Sequence, residues 1–242
     1  MPADKESLGS RYSRQLAVES WDQSRLRGAK IVIVGAGGLG GIASIYLALA
    51  GVRKLTIVDQ DNVEISNLNR QLLYTAEDIG RRKIEAAKNR LCQLNPEMEI
   101  RTIGERISAE NASKIISGHD LVIDGLDNHE SRMIINNAII DLEIPYVYGA
   151  VDGWLGQVSF IKPPETPCLA CFMPESVPIK KPVPVFGAMP GVIGSILAVE
   201  ALKYLMGAGD LLKGRLMIYN GLWQNLETLQ IFNNPNCPVC GK

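Results

Sequence analysis

The sequence predicts an α/β fold, in which a doubly wound, mostly parallel sheet carries an antiparallel C-terminal extension and a structural zinc site. Three observations support this prediction. Strand and helix patterns alternate through the first 150 residues, strand patterns without helices between them follow, and two C-x-x-C pairs lie in the second half. Such alternation is typical of open parallel sheets with helices on both faces, as in Rossmann-like folds.

Length and composition limit the class of protein. The 242 residues are 46% hydrophobic, which suffices for a large core and excludes disordered and collagen-like chains. With 25 basic and 26 acidic residues the net charge is −1, so no overall charge favours nucleic acid or an anionic membrane. The polar start MPADKESLGSRYSR has no signal-peptide core, so the cytoplasm is the expected location.

The first half is predicted from its hydrophobic pattern. A polar segment over 11–27 ends at Gly28 and predicts a peripheral helical arm. Residues 31–52 carry no charge, but the opening IVIV and six glycines predict a buried strand and helix rather than a membrane span. The elements that follow the IVIV strand are a helix over 39–50, a strand over 54–59, a helix over 81–94, a strand over 99–103, a helix near 108–117, a strand over 120–124, a helix near 130–141 and a strand over 146–148.

The pattern changes after Gly149. The segments GQVSFIKP, GRLMIYNG and LETLQIF resemble strands with no helices between them, which predicts antiparallel pairing. Residues 163–187 are rich in proline and predict a long crossing loop. One helix remains, over 191–206, and its apolar residues lie nearly all round, so we expect it to be buried.

A glycine-rich turn is the first candidate site. Gly35, Gly37 and Gly40 match G-x-G-x-x-G between a strand and a helix, and Asp59 ends the next strand. Glycines let the backbone approach phosphates at a helix N-terminus, and a carboxylate at that strand end accepts hydrogen bonds from ribose. A tight turn without a ligand is the alternative. No G-x-x-x-x-G-K-[ST] motif occurs, so the chain is not a P-loop enzyme.

Polar side chains follow the second strand, where ligands bind in such sheets. A lysine, Lys83, opens the next helix, where a cation opposes the helix dipole and therefore needs another reason to be present. Solvated charges are one explanation, and a reaction at a triphosphate is the other, since a nicotinamide enzyme needs no such cations. The candidates in the loop are Asp61, Asn67, Arg70 and Gln71.

The segment DGLDN follows the strand DLVID and points toward the same crevice. Its two carboxylates and one amide, from Asp124, Asp127 and Asn128, could hold Mg²⁺ through oxygen ligands. Capping of the helix that starts near residue 129 is the alternative.

The cysteines predict a metal site. Cys168, Cys171, Cys237 and Cys240 form two C-x-x-C pairs, which supply the four thiolates of a closed tetrahedral zinc site. A redox pair is the alternative. Closed coordination leaves no catalytic position, so such a zinc would attach the C-terminus to the crossing loop. Cys92 is the one other cysteine and is expected to be a buried side chain.

The order of these segments resembles the ThiF/MoeB/HesA family, the bacterial and archaeal relatives of the ubiquitin-activating enzymes. The match covers essentially the whole chain, and the combination is more specific than any one motif. The matching segments are RYSRQ, GAGGLG, DQDNVEISNLNRQ, the lysine at 83, DGLDN, CLAC, MPGVIGSILAVEALK and CPVCG.

The resemblance implies an enzyme that binds ATP and Mg²⁺ and adenylates the C-terminal Gly-Gly carboxylate of a small ubiquitin-like sulfur-carrier protein, with release of pyrophosphate. It also implies a homodimer and a separate sulfur donor. One domain over 1–242 is expected, with an N-terminal arm (1–29), a nucleotide-binding half (30–150) and a carrier-binding and zinc half (151–242). The carrier and its pathway, such as molybdopterin or thiamine synthesis, stay open.

The resemblance also implies roles for individual residues. Asp127 would hold Mg²⁺, and Arg14 would reach the phosphates of the neighbouring subunit. Catalysis would rest on Arg14, Arg70, Lys83 and Asp127. The nucleotide would be bound by Gly35, Gly37, Gly38, Gly40, Asp59, Asp61, Asn67, Arg70, Gln71, Lys83, Asp127 and Asn128.

The sequence departs from many relatives in the crossing loop. That stretch reads PESVPIKKPVPVFGAMPG and lacks the cysteine that captures the activated carrier in those relatives. We therefore expect adenylation without a covalent thiol intermediate. Three alternatives stay open: a tRNA threonylcarbamoyladenosine dehydratase, a non-catalytic nucleotide-binding subunit and an NAD-linked oxidoreductase. The first is disfavoured by the two C-x-x-C pairs and the lack of a basic patch.

Overall fold

A computed structural model describes residues 11–173 and 183–241. The described strands form one eight-stranded sheet in the order β3-β2-β1-β4-β5-β6-β7-β8. The elements are α1 (Ser13–Leu16), α2 (Gln23–Gly28), β1 (Lys30–Val34), α3 (Gly38–Ala50), β2 (Lys54–Val58), α4 (Lys83–Leu94), β3 (Glu99–Ile103), α5 (Ala112–Ile116), β4 (Leu121–Asp124), α6 (His129–Leu142), β5 (Tyr146–Asp152), β6 (Leu155–Ile161), α7 (Leu169–Phe172), α8 (Ala188–Met206), β7 (Arg215–Asn220) and β8 (Asn225–Gln230).

Strands β1 to β5 are parallel, and β6 to β8 continue the sheet in antiparallel pairing. This arrangement confirms the predicted mostly parallel sheet with an antiparallel C-terminal extension. The central parallel strands β1, β2 and β4 are buried on both faces because helices cover each face, whereas the edge strand β3 is partly exposed. Alternate residues of β1 show the division, since Ile31 and Ile33 belong to one core cluster and Val32 and Val34 to the other.

Helix α8 lies in the first of these clusters. It packs against α3, β5 and β6, which explains why its apolar residues lie nearly all round. Ala188–Met206 is long and apolar enough to cross a membrane, but half of its most apolar stretch is buried inside the fold, as expected of a core helix. It starts three residues before the predicted boundary, because Pro190 lies in its first turn, where proline is tolerated.

Other elements also differ from their predictions. Helix α5 starts at Ala112 rather than near residue 108, and the short helix α7 lies within the segment 163–187 that the sequence predicts as a loop. The segment 11–27, predicted as one helical stretch, is broken between α1 and α2. The break has a local cause, because the Asp22 side chain accepts a hydrogen bond from the Ser24 backbone N–H (3.0 Å) and caps a new helix. Strand β5 extends to Asp152 rather than ending at Tyr148, because it continues into a hairpin with β6, in which Asp152 pairs with Leu155.

Candidate functional site

The glycine-rich turn lies between β1 and α3, at the carboxyl edge of the parallel strands. Gly35 has a φ of +94°, in the left-handed region that side chains disfavour. A Cβ atom on Gly35 would also overlap the carbonyl of Gly125, in the loop after β4. The Gly35 N–H donates to the Val58 carbonyl at the end of β2 (2.8 Å), and the Gly125 N–H donates to the Val34 carbonyl at the end of β1 (2.8 Å), so hydrogen bonds join the turn region to the ends of β2 and β4.

Asp59 and Tyr74 fix the backbone of the next residue, Ala36. One Asp59 carboxylate oxygen accepts from the Ala36 N–H (2.8 Å) and the other from the Asp61 N–H (2.9 Å). The Tyr74 hydroxyl donates to the Ala36 carbonyl (2.7 Å). Burial raises the pKa of Asp59, although Lys83 and these N–H groups act against the rise. Burial also raises the pKa of Tyr74, so its hydroxyl stays a proton donor.

Tyr74 was missed by sequence reasoning. The signal was present, because an aromatic residue that follows the polar stretch Asn67–Gln71 needs an apolar place for its ring. In the structure the ring is buried under the turn, and its hydroxyl donates a hydrogen bond to a backbone carbonyl, that of Ala36.

The loop after β2 brings two predicted residues close to the turn. Gln71 is buried, and its Nε2 lies 3.8 Å from the position that a Cβ on Gly37 would occupy. Its Oε1 is buried without a hydrogen-bond partner among the described residues. The Arg70 guanidinium is partly exposed and donates to the Ser66 carbonyl (2.8 Å) and Asn69 Oδ1 (3.0 Å).

The two other loop residues contact the protein itself. Asn67 is buried, and its Oδ1 accepts from the Glu64 N–H (3.1 Å) in a capping box. Asp61 pairs with the predicted cation, since Lys83 Nζ lies 2.9 Å from Asp61 Oδ2. The Lys83 side chain is only 8% exposed, and this ion pair explains a cation at the start of α4.

The DGLDN segment divides into a buried part and an exposed part. Asp124 is fully buried and accepts from Arg132 Nε (2.8 Å), the Tyr146 hydroxyl (2.7 Å) and the Leu126 N–H (2.8 Å). The prediction of Asp124 as a magnesium ligand is wrong, because its carboxylate is completely buried and its charge is paired with Arg132.

Asp127 and Asn128 lie in the exposed part. Asn128 Oδ1 caps α6 by accepting from the Ser131 N–H (2.9 Å), as the capping alternative predicted. Asp127 is exposed, and its Oδ1 accepts a long hydrogen bond from Asn128 Nδ2 (3.3 Å). Its Oδ2 accepts none from the described residues. An exposed carboxylate oxygen after the end of β4 has the ligand chemistry that Mg²⁺ prefers, since Mg²⁺ binds in proteins through one or two carboxylates and substrate phosphate oxygens.

Arg14 lies far from the turn within one chain. The N-terminal arm contacts the C-terminal end of α3, where Gln15 Nε2 donates to the Ala50 carbonyl (2.8 Å). The turn lies at the other end of this 13-residue helix, a length of about 20 Å. The Arg14 side chain is exposed and has no acceptor among the described residues.

The four cysteines converge at a second site. Their Sγ atoms all lie within 4.8 Å of one another, with Cys168 Sγ 4.0 Å from Cys171 Sγ and 3.6 Å from Cys237 Sγ, and Cys171 Sγ 3.3 Å from Cys240 Sγ. Tetrahedral Zn–S bonds of about 2.3 Å would place the sulfurs about 3.8 Å apart. The cluster therefore has the geometry and the ligand chemistry that zinc prefers.

Burial and neighbouring polar groups act in opposite directions on the thiols of this cluster. Burial raises the pKa of Cys168, and the Asn136 amide acts against that rise. Asn136 is fully buried, its Oδ1 accepts from the Leu169 N–H (2.8 Å), and its Nδ2 has no hydrogen-bond partner among the described residues. A metal-bound Cys168 thiolate would give that amide an acceptor. At Cys237 burial acts to raise the pKa, but the backbone N–H groups of Cys240 and Val239, together with the Cys168 and Cys240 thiols, outweigh it and lower the pKa to about 7.

Comparison with known proteins assigns the chain to a family. A sequence model of the ThiF family matches residues 12–239. The chain belongs to the ThiF family. This match includes the glycine-rich turn, the DGLDN segment and three of the four clustered cysteines. It ends at residue 239, one residue before Cys240.

Relatives of this ThiF-family chain match over nearly their whole length. It is 42% identical to the sulfur carrier protein adenylyltransferase of Thermus thermophilus, over 98% of this chain and 92% of that protein. It is 38% identical to the SAMP-activating enzyme E1 of Haloferax volcanii, over 96% and 88%. It is 35% identical to the sulfur carrier protein ThiS adenylyltransferase of Escherichia coli, over 96% and 94%.

Solved structures share the ThiF-family fold. The crystal structure of Escherichia coli MccB with ATP matches with a TM-score of 0.86 and 24% identity, and covers 96% of this chain and 75% of that one. At this identity the likeness concerns the fold alone.

The expectation of no covalent thiol intermediate concerns residues that lie partly outside the structure. Residues 174–182 of the crossing loop are not among the described residues. Cys92 lies on α4 and packs, partly buried, against the core cluster that contains Leu91.

Proposed function

We propose that this chain is an adenylyltransferase that activates the C-terminal Gly-Gly carboxylate of a small ubiquitin-like sulfur-carrier protein with ATP. The observation that carries the proposal is the glycine-rich turn, whose Ala36 backbone is held by Asp59 and Tyr74 beside the cation Lys83. Its ThiF-family relatives are named as adenylyltransferases of sulfur carriers, which supports the same reaction.

The reaction needs positive charge around a triphosphate. A carboxylate oxygen of the carrier attacks the α-phosphorus, the bond from that phosphorus to the bridging oxygen breaks, and pyrophosphate leaves with the electron pair. Carboxylate and triphosphate are both negative, so the transition state is stabilised by cations that are already in place. Lys83 is oriented by Asp61, and Arg70 lies on the same loop as Gln71, which faces the turn.

Each remaining site residue takes the role that its position supports. Asp59 binds ribose, Asn67, Arg70, Gln71 and Lys83 contact the phosphates, and Asp127 holds Mg²⁺, which offsets phosphate charge when bound. The four cysteines hold a structural zinc, the sulfur donor is a separate protein, and the enzyme acts in the cytoplasm. Closed Cys₄ coordination leaves no position for a substrate, so this zinc stabilises the fold and does not catalyse.

We further propose that the active site is shared between two copies of the chain. Arg14 lies about a helix length from the turn of its own chain, and its side chain is exposed. In a symmetric homodimer it can reach the phosphates of the partner's site. Arg14→Ala and Lys83→Ala homodimers are expected to be inactive. Mixing the two variants should restore about a quarter of wild-type activity, because one intact site forms in each mixed dimer. No recovery on mixing would contradict the shared site.

ATP–pyrophosphate exchange tests the proposed reaction. The purified protein is assayed with a panel of small ubiquitin-fold carriers, each beside a copy that lacks its last glycine. Exchange that occurs with a full-length carrier and disappears with the truncated copy supports the proposal and identifies the carrier. ATP binding without exchange on any carrier would contradict it.

Arg70 provides a matched test within the site. Arg70→Ala should lower the exchange rate about 100-fold, as expected when one preorganised donor to a developing charge is removed. The control is Arg81→Ala, which removes a nearby exposed arginine whose side chain pairs with Asp78 alone among the described residues (3.3 Å), and it should leave the rate unchanged. Equal rates in the two variants would exclude a phosphate contact for Arg70.

A further inference from the structure

The position of the exposed Asp127 carboxylate depends on contacts made by the neighbouring residues, Leu126 and Asn128. Among the described residues its side chain makes one hydrogen bond, the 3.3 Å contact with its neighbour Asn128. Its position therefore depends on the backbone on either side. On the C-terminal side, Asn128 caps α6 through the Ser131 N–H (2.9 Å).

On the N-terminal side, Leu126 is fixed at both of its backbone polar groups. Its N–H donates to Asp124 Oδ1 (2.8 Å), and its carbonyl accepts from Arg132 Nη2 (2.5 Å). Arg132 Nε donates to the second oxygen of the same Asp124 (2.8 Å). The Asp124–Arg132 pair therefore encloses the peptide groups that lead directly into Asp127.

Arg132 is well suited to hold this loop. It lies in the first turn of α6, is 7% exposed, and also donates to the Gly149 carbonyl of β5 (3.0 Å), with the guanidinium 5.5 Å from the ring centroid of Tyr148. Burial acts to lower the pKa of Arg132, but Asp124, together with Tyr148 and Tyr146, outweighs it and raises the pKa, so the side chain is permanently charged. Only the planar fork of an arginine reaches three separate acceptors in this way.

We propose that Arg132 is a positioning residue that sets the affinity of the site for its divalent metal by fixing the loop that presents Asp127. This inference rests on the proposed function for the role of Asp127. The hydrogen bonds of Arg132 go to Asp124 and to the carbonyls of Leu126 and Gly149 and not to the Asp127 carboxylate, so Arg132 acts through the backbone. Mutation of groups that orient a metal ligand lowers metal affinity by about 10- to 100-fold.

The test compares Arg132→Lys with the wild-type protein. Lysine keeps the charge beside Asp124 but cannot donate to both Leu126 and Gly149. ATP-dependent Mn²⁺ binding, followed by electron paramagnetic resonance without any carrier, should weaken about 10-fold. The Mg²⁺ concentration that gives half-maximal pyrophosphate exchange should rise by the same factor, while ATP binding without metal stays unchanged.

The matched control is Arg106→Lys. Arg106 pairs with Glu130 (3.0 Å), which lies in the first turn of α6 together with Arg132. Both side chains of this pair are exposed, so the Mg²⁺ dependence of the variant should be that of the wild type. A second variant, Asp124→Asn, removes the charge from the carboxylate that pairs with Arg132. It should also weaken Mn²⁺ binding, and it decides the test if Arg132→Lys does not fold.

Two outcomes would overturn the inference. One is that Arg132→Lys binds Mn²⁺ as tightly as the wild type does. If Arg132→Lys does not fold, the same result with Asp124→Asn would overturn the inference. The other is a lower exchange rate at every Mg²⁺ concentration with an unchanged half-maximal concentration, which would assign Arg132 to fold stability alone. The Mn²⁺ measurement needs no carrier, so a wild-type protein that binds Mn²⁺ with ATP but catalyses no exchange would count against the proposed reaction and not against the role of Arg132.

Discussion

The glycine-rich turn and the cysteine cluster are held together by different physical means. At the turn, the polar backbone groups of Gly35 and Ala36 find their partners inside the fold, at Val58, Asp59 and Tyr74. At the cluster, four sulfurs face one another, and the adjoining segment 232–236 is exposed throughout. This difference predicts that the glycine-rich turn is preformed without a ligand, and that the cysteine cluster, if it holds four thiolates, needs a cation to offset their charge.

The largest effect is expected at the turn. Gly35→Ala places a side chain in the left-handed region and against the Gly125 carbonyl. The free energy of unfolding should fall by about 4 kcal/mol or more, with loss of ATP binding. Chemical denaturation and a nucleotide titration measure both. Gly80→Ala is the control, because Gly80 has a similar φ of +87° with open space around it, and about 1 kcal/mol is expected. Equal losses in the two variants would show that the close approach to Gly125 does not matter.

Loss of a cysteine ligand should separate the two regions. Cys237→Ser should abolish the binding of about one zinc per chain and lower the free energy of unfolding by about 3 kcal/mol. The affinity for ATP should change less than about twofold, because the turn is preformed in the other half of the sheet. Metal analysis, thermal melting and ATP titration report the three quantities. Cys92→Ser should retain the zinc, and a full zinc content in Cys237→Ser would contradict the predicted Cys₄ site.

Asn136 tests whether the cluster also depends on preformed polar contacts. Asn136→Ala removes the acceptor of the buried Leu169 N–H and the amide beside Cys168. We expect a loss of about 2 kcal/mol and release of zinc to a chromogenic chelator about 10-fold faster. Asn137→Ala changes the exposed neighbour on the same helix and should do neither. If Asn136→Ala released zinc at the wild-type rate, the cysteines alone would define the cluster.

The smallest effect is expected at the hydroxyl under the turn. Tyr74→Phe leaves the ring in place but removes the donor to the Ala36 carbonyl. Stability should fall by about 1 kcal/mol, and the Kd for ATP should rise about fivefold if the turn loosens by the same amount. Tyr46→Phe, on the exposed face of α3, is the control and should alter neither value. An unchanged Kd in Tyr74→Phe would mean that Asp59 alone holds the turn.

Contacts that are local in sequence were predictable, and contacts between distant segments were not. The turn, the position of Asp59 at a strand end and the paired C-x-x-C motifs each follow from short spacings that the sequence displays. The ion pair of Lys83 with Asp61 spans 22 positions and depends on how the β2–α4 connection folds back. Asp124 illustrates the same limit. The sequence predicts it as a metal ligand, but in the structure it is buried and pairs with Arg132 on the next helix.

Arg132 could have been suspected from periodicity. With Ile135, Asn136 and Ile139 it occupies positions i, i+3, i+4 and i+7, which form one inward face of α6. A charged residue on such a face requires a buried partner. The sequence alone does not identify that partner, because several carboxylates lie at suitable distances along the chain. The break between α1 and α2 was missed for a local reason, since capping by Asp22 competes with a continuous helical pattern.

Gly35 and Gly125 constrain each other in a way that bears on how the chain can be altered. A Cβ atom on either residue would overlap the carbonyl of the other, so the loop of the predicted nucleotide and the loop of the predicted metal share one contact. A larger residue at one position cannot be accommodated by a smaller one at the other, because both are already glycine. Directed evolution of this chain toward new nucleotides will therefore have to leave this pair untouched and vary the residues around it.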